Sequence, residues 1–181
     1  EQIINLPENV LVRGVLPLIV FAAAVYFLRF PLNSLLGSFS FHQSENAAAQ
    51  NQGIQTYNLQ IQAINFDPTN DSYHAVYAQT NLALANSLAA QGGTSSAQLT
   101  DQQKQAVTQL VQQAIQQSRL AAGLAPNRAA NWENLFLIYR SLINFAQGAD
   151  QWALASINQA INFDPTNPQL KLELGGLYFA G

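Results

Sequence analysis

The sequence predicts an all-α protein, an α-solenoid of antiparallel helix hairpins with a long hydrophobic N-terminal helix. Three observations predict it. The string QAINFDPTN stands at residues 62–70 and again at 159–167, an internal duplication. Apolar residues recur at three- and four-residue spacing over 100–122 and 132–143, and no run shows sustained strand alternation. Residues 14–28 carry no charge at all.

Taken in order, residues 1–9 are polar, with Pro7 near their end, and are expected to be irregular. The segment 10–32 is a hydrophobic, transmembrane-type helix with GVLPLIVFAAAVYFL at its centre, between Arg13 and Arg29. It reaches about 23 positions, where a bilayer core needs about 20. Leu16, Ile19, Phe21, Val25 and Leu28 make it a stem. Arg13 and Arg29 can snorkel to opposite interfaces, but one arginine on each side sets no orientation. Pro17 lies where its cost is small, and Pro31 can end or kink the helix. Three readings stay open: a membrane anchor, an uncleaved signal peptide without a basic n-region, and a helix buried against copies of itself. Residues 33–46 (NSLLGSFSFHQSEN) are expected to be a linker, and 47–181 a helical repeat domain.

Within that domain the helical pattern is plainest over 100–122. Val107, Leu110, Val111, Ala114, Ile115 and Ala121 form one stripe, and glutamines supply much of the rest. Residues 132–143 repeat it with Trp132, Leu135, Phe136, Tyr139, Leu142 and Ile143. Breaks fall at 66–70, 92–96, 123–127, 148–149 and 163–168. Thr100 or Ser96 can cap the helix that follows. Gly123 and Gly148 sit where a left-handed C-terminal residue is wanted. A looser copy of the duplicated string, LAAGLAPN, lies at 120–127. Each copy is the tail of an amphipathic helix running into a proline turn, where proline stops one helix and presets the next.

On these residues the chain resembles the tetratricopeptide-repeat family, which repeats a helix pair about every 34 residues. Trp132, Leu135 and Tyr139 match the first-helix motif, with Phe136 in place of its glycine. Leu174, Gly175 and Tyr178 match it again. Ala114, Ala121 and Pro126 match the second helix, as do Ala153, Ala160 and Pro165. The stretch 71–90 departs from the pattern, though Tyr73 and Tyr77 can fill the same space, and the hairpin near Gly148 is longer than the family's. The resemblance implies stacked hairpins, small alanines at close crossings, and a groove along the first helices that takes a peptide or partner helix. Gln79, Glu133 and Arg140 are expected to line that groove.

The ends of the chain stand out of phase with the repeat. Residues 47–66 read as a second helix without a first, and 168–181 as a first helix without a second. Leu170, Leu174, Leu177, Tyr178 and Phe179 are then expected to form an unpartnered assembly surface. Either the chain continues beyond Gly181, or residues 168–181 of one copy pair with 47–66 of the next. The second arrangement is head-to-tail and builds rings or filaments.

Composition narrows the function. Charged residues are 9% of the chain, against about a quarter in an average domain. Their place is taken by 22 glutamines and 17 asparagines, amides that hydrogen-bond water yet repel nothing. Seven scattered basic residues form no stripe, so a nucleic-acid partner is not expected. There is no cysteine, hence no thiolate chemistry, and the absence of oxidisable side chains suits a place outside the cytoplasm. Without Met at position 1 the chain reads as a processed product or a piece of a longer one.

His42 and His74 are far apart, Asp67 and Asp164 serve matching turns, and Glu133 and Glu173 lack an obvious acid–base partner. No enzyme activity, metal or cofactor is expected. The expected function is a stem- or membrane-anchored interaction scaffold of the cell envelope or cell surface. Its partners are protein, itself included, with a membrane or hydrophobic assembly core engaging 10–32. The layout also resembles the tails of multi-spanning O-antigen-ligase-like membrane proteins, which implies as the alternative a fragment of a glycan-polymer ligase.

Overall fold

A computed structural model describes residues 10–94 and 99–180. The polar segment 1–9 and part of the 92–96 break lie outside the described residues. Among the described residues seven helices follow one another: α1 (Val10–Ala49), α2 (Gly53–Phe66), α3 (Asp71–Thr94), α4 (Asp101–Leu124), α5 (Ala129–Arg140), α6 (Ala149–Phe163) and α7 (Pro168–Ala180). No strand occurs among the described residues. The main pairings are α1 with α2, α3 with α4, and α5 with α6. These hairpins stack in chain order, and α3 also touches α5 directly.

The three copies of the repeated string end their helices alike. Asp67, Ala125 and Asp164 are the C-caps of α2, α4 and α6, with φ of −136°, −132° and −136°. Their N–H groups donate to the carbonyls of Ala63, Ala121 and Ala160. Those three alanines are 0% exposed, because a side chain no larger than methyl lets two helix axes approach closely. After the proline, Asn70 accepts from the Ser72 N–H and Asn167 from the Gln169 N–H. Each asparagine thereby satisfies an orphan donor of the helix it opens. At α4, Thr100 and Gln103 make a reciprocal capping box.

The core is a chain of linked clusters rather than one centre. Ala78, Ala114, Ile138, Leu142 and Ala149 fill the space between the second and third hairpins. Leu135, Phe136, Tyr139, Ala153, Ile157, Ala160 and Leu170 join the third hairpin to α7.

Several sequence expectations are corrected. Residues 33–46 are no linker, since α1 runs unbroken through them to Ala49. Gly37, Ser40, Ser44 and Ala47, spaced three and four apart, are buried. They are small because α2 and α3 lie close: a Cβ added to Gly37 would stand 3.3 Å from the Ala63 carbonyl. Phe41 stacks on Tyr73 with ring centroids 4.7 Å apart, and Ser38 shares a hydrogen bond with the Tyr73 hydroxyl. The first hairpin therefore already has its first helix. Residues 47–66 are not free to receive 168–181 of another copy, which removes the head-to-tail pairing in that form.

At the other end, Leu170 is 0% exposed and Leu174 and Leu177 pack on the same cluster. They belong to the inner face of α7, while Leu172, Tyr178 and Phe179 face outward, Phe179 at 96% exposure. Gly123 lies inside α4, and only Gly148 among the described glycines takes a positive φ, opening α6 rather than closing α5. The left-handed residue that ends α1 is Asn51, at φ 57°, a residue type that tolerates this conformation.

Phe136 is fully buried in the α5–α6–α7 cluster, whereas Phe145 in the following loop is 87% exposed. Phe136→Ala should cost about 3–5 kcal/mol of stability, and Phe145→Ala less than about 0.5 kcal/mol. Urea unfolding followed by circular dichroism compares the two directly.

Candidate functional site

The first helices of the hairpins, α1, α3 and α5, together with α7, carry the groove residues expected from the sequence. Gln79 on α3 is exposed, and its Nε2 donates to Asn134 Oδ1 on α5 at 2.9 Å. Asn134 is buried and in turn donates to Ser118 Oγ and the Ala75 carbonyl. One turn earlier, Asn131 Nδ2 donates to Asp71 Oδ2 at 2.7 Å and to the Ala121 carbonyl at 3.0 Å. Arg128 Nη1 adds a bond to the same Asp71 oxygen. Burial pushes the Asp71 carboxyl up, but the Asn131 amide and the Arg128 guanidinium outweigh it, and the group lies below its ordinary value. His74, also buried, meets Gln117 Oε1 through Nδ1 and the Pro68 carbonyl through Nε2. Gln79 is thus the exposed tip of a polar seam that fixes the register of hairpins two and three. A buried donor left unpaired costs about 1–3 kcal/mol, so the seam disfavours slippage.

Further along, the expected residues Glu133 and Arg140 flank one partner that sequence reasoning did not assign to the groove. Arg140 Nη1 pairs with Glu173 Oε2 across α5 and α7. Its guanidinium also stands 5.7 Å from the centre of the Phe136 ring. Glu133 is half-buried, and its carboxyl is raised by burial, then by the negative charges of Glu173 and Asp164. The structure therefore brings Glu133, Arg140 and Glu173 to one end of the surface and leaves Gln79 nearer the middle. The 33-residue step from Arg140 to Glu173, close to the repeat period, is the signal that could have found the pair. With one arginine against Glu133, Glu173 and Asp164, this end carries excess negative charge. Among the described residues no group of three metal-ligating side chains converges.

A second concavity of about 490 Å³ opens between α4, α5 and α6, on the other side of α5. Trp132, Leu135, Tyr139 and Trp152 line it, and Pro126 and Arg119 stand at its edge. Tyr139 and Trp152 stack at 6.0 Å, Arg119 lies 5.5 Å over the Trp152 ring, and Trp132 Nε1 donates to the Pro126 carbonyl. Of the other repeat residues, Ala114, Ala121 and Ala160 are buried, while Pro126 and Pro165 sit exposed in their turns. A Cβ on Gly175 would meet open space among the described residues.

In the stem, Leu16, Ile19, Phe21 and Val25 are exposed, and the Leu28 side chain lies outside the described residues. Among the described helices α1 alone is long and apolar enough to cross a membrane.

The raised Glu133 carboxyl has a defined sign in stability. The unfolded chain ionises at glutamate's ordinary value and the folded chain later, so stability falls as pH rises through that window. Glu133→Gln removes the penalty. Its melting temperature should exceed that of the parent chain at pH 7, with the gain shrinking towards pH 4.

No protein-family model and no curated protein matches this sequence. Among solved structures, the chain is similar to the Arabidopsis OM64 TPR domain, with TM-score 0.60 and 17% identity over 82% of this chain and 99% of that one. It is similar also to the first TPR of Spaghetti (RPAP3), solved bound to the HSP90 peptide SRMEEVD, with TM-score 0.60 and 12% identity over 81% and 96%. The fold of this chain is that of a tetratricopeptide-repeat domain.

Proposed function

We propose that the chain is a non-enzymatic interaction and assembly module of the cell envelope or cell surface, in which an apolar stem carries a protein-docking repeat stack. One observation carries the reading: α1 is a single helix of 40 residues, apolar and exposed in its first part and the packed first helix of a hairpin in its last. At 1.5 Å per residue it is a rod of about 60 Å. A stem joined to its domain without a loop transmits orientation as well as attachment. That suits a scaffold held at a surface.

The docking chemistry follows from the groove. Its far end holds Glu133 and Glu173 around Arg140; burial and then the charges of Glu173 and Asp164 raise Glu133, and a cation from a partner relieves the like-charge part. The partner segment is therefore a peptide or helix with a Lys or Arg side chain. That is the opposite polarity to the acidic peptide held by the solved neighbour. The outward face of α7, with Leu172, Tyr178 and Phe179, offers an apolar platform beside it for the rest of the partner.

Two measurements test the reading. A panel of lysine-bearing peptides should bind the full chain more tightly than matched aspartate-bearing peptides, with affinity falling as salt rises. Glu133→Gln should weaken the former by about 1.5–3 kcal/mol, as expected for a charge-assisted bond. Equal binding of both panels contradicts the groove assignment. The full chain should also float with phosphatidylcholine liposomes, whereas a variant with Ile19→Glu and Phe21→Glu should stay at the bottom of the gradient while keeping its helical signal.

A further inference from the structure

The two faces of α1 differ in what covers them. Gly37, Ser40, Phe41, Ser44 and Ala47 turn towards α2 and α3 and are taken up by the chain's own hairpin. The opposite face carries Leu18, Phe21, Val25, Leu32, Leu35 and Phe39, 52% to 69% exposed, with Leu28 at the one remaining step. The steps along this face alternate strictly between three and four residues. Their mean of 3.5 is the period of a left-handed coiled coil, which keeps a stripe on one side of a supercoiled rod.

A lipid surface does not explain the stripe. Lipid requires apolar groups on every side of a helix, and over 14–28 the sequence meets that demand all round, so the period there decides nothing. Over 32–40 it is no longer met, because Asn33, Ser34, Ser38 and Ser40 intervene. Leu32, Leu35 and Phe39 nevertheless continue the stripe, on the side turned away from the hairpin. The surface complementary to such a stripe along its whole length is another rod of the same period. The chain supplies one in each further copy of itself.

We infer that Leu18 to Phe39 form a self-association seam, along which α1 of one copy packs parallel and in register against α1 of a second copy. The parallel direction follows from the change of surface at Arg29. In parallel register the all-apolar stretch of each stem lies beside that of its neighbour, and the serine-rich stretch beside its counterpart. Antiparallel pairing sets one against the other. The repeat stacks hang from the far faces of the two rods and do not collide with the seam. The inference rests on the proposed reading of the stem as an assembly element, and it names the partner.

The chain has no cysteine, so single substitutions report contacts cleanly. Leu18→Cys, Leu32→Cys, Leu35→Cys and Phe39→Cys, with Ala23→Cys and Ser34→Cys facing away, are placed one at a time in the full chain. The proteins are reconstituted at low density in phosphatidylcholine liposomes, oxidised with copper phenanthroline, and run on non-reducing gels. Circular dichroism confirms that each variant is folded. The four seam variants, at both ends of the seam, should each give several-fold more disulfide-linked dimer than the two off-seam variants. Equal yields at all six positions would overturn the seam, and a disulfide between Leu18→Cys and Phe39→Cys chains in a mixed sample, with neither forming dimers alone, would overturn the parallel register. Liposome flotation is read on the same samples. Retained flotation without seam-specific dimers sinks this inference and leaves the anchoring role standing, whereas lost flotation sinks the anchor.

Discussion

Everything in this molecule depends on the close approach of helices that cannot bury their apolar faces in pairs. A hairpin of two amphipathic helices leaves one side of each exposed, and stacking a second hairpin covers it. The approach is set by side chains no larger than methyl. Ala63, Ala78, Ala114, Ala121, Ala153 and Ala160 are all 0% exposed. The volume they leave is taken by Phe136, Ile138, Ile157 and Leu170. Because each hairpin packs mainly on its neighbours among the described residues, stability is laid down step by step along the chain. The polar seam through Asp71, Asn131, Asn134 and Gln79 then sets which step meets which.

The same constraint explains the join between stem and stack. If α1 had broken at 33–46, the first hairpin would lack a partner and α2 would expose its inner face. Instead the rod continues, with Gly37 and the buried serines providing the flat surface on which α2 lies. Serine oxygens can do this without penalty when they return a bond to their own helix, as Ser44 does to the Phe41 carbonyl at 2.6 Å. The apolar rod and the first repeat are thus one physical object.

Much of this was legible in the sequence, for a specific reason. The duplicated string encodes a whole local geometry, a buried alanine, a capped helix end and an asparagine-opened helix, and it repeats in both copies with nearly the same backbone angles. What misled was small polar sequence. The serines and glycine of 33–46 look like a linker by composition, and only their three- and four-residue spacing marks a buried face. Gly123 looked like a stop signal, yet the turn at Pro126, three residues on, ends α4 instead. Leu170 looked unpartnered from repeat phase alone, but the third hairpin supplies its contacts. On the first helices, the positions of Gln79, Glu133 and Arg140 could be read from helical spacing. Glu173 was legible only through its 33-residue step from Arg140, and Asn131 and Asn134 were not, because pairing between hairpins depends on how neighbouring units are rotated, which no local pattern records.

The central claim is that one continuous helix links the stem to the hairpin stack. Amide hydrogen exchange over residues 29–47 of the full chain measures it most directly, since an amide inside an unbroken, packed helix exchanges only when that helix opens. The account requires slow exchange at every amide from Leu32 to Ala47, comparable to that of α5. A fast-exchanging break between Asn33 and Ser40, with protection on either side, would contradict it.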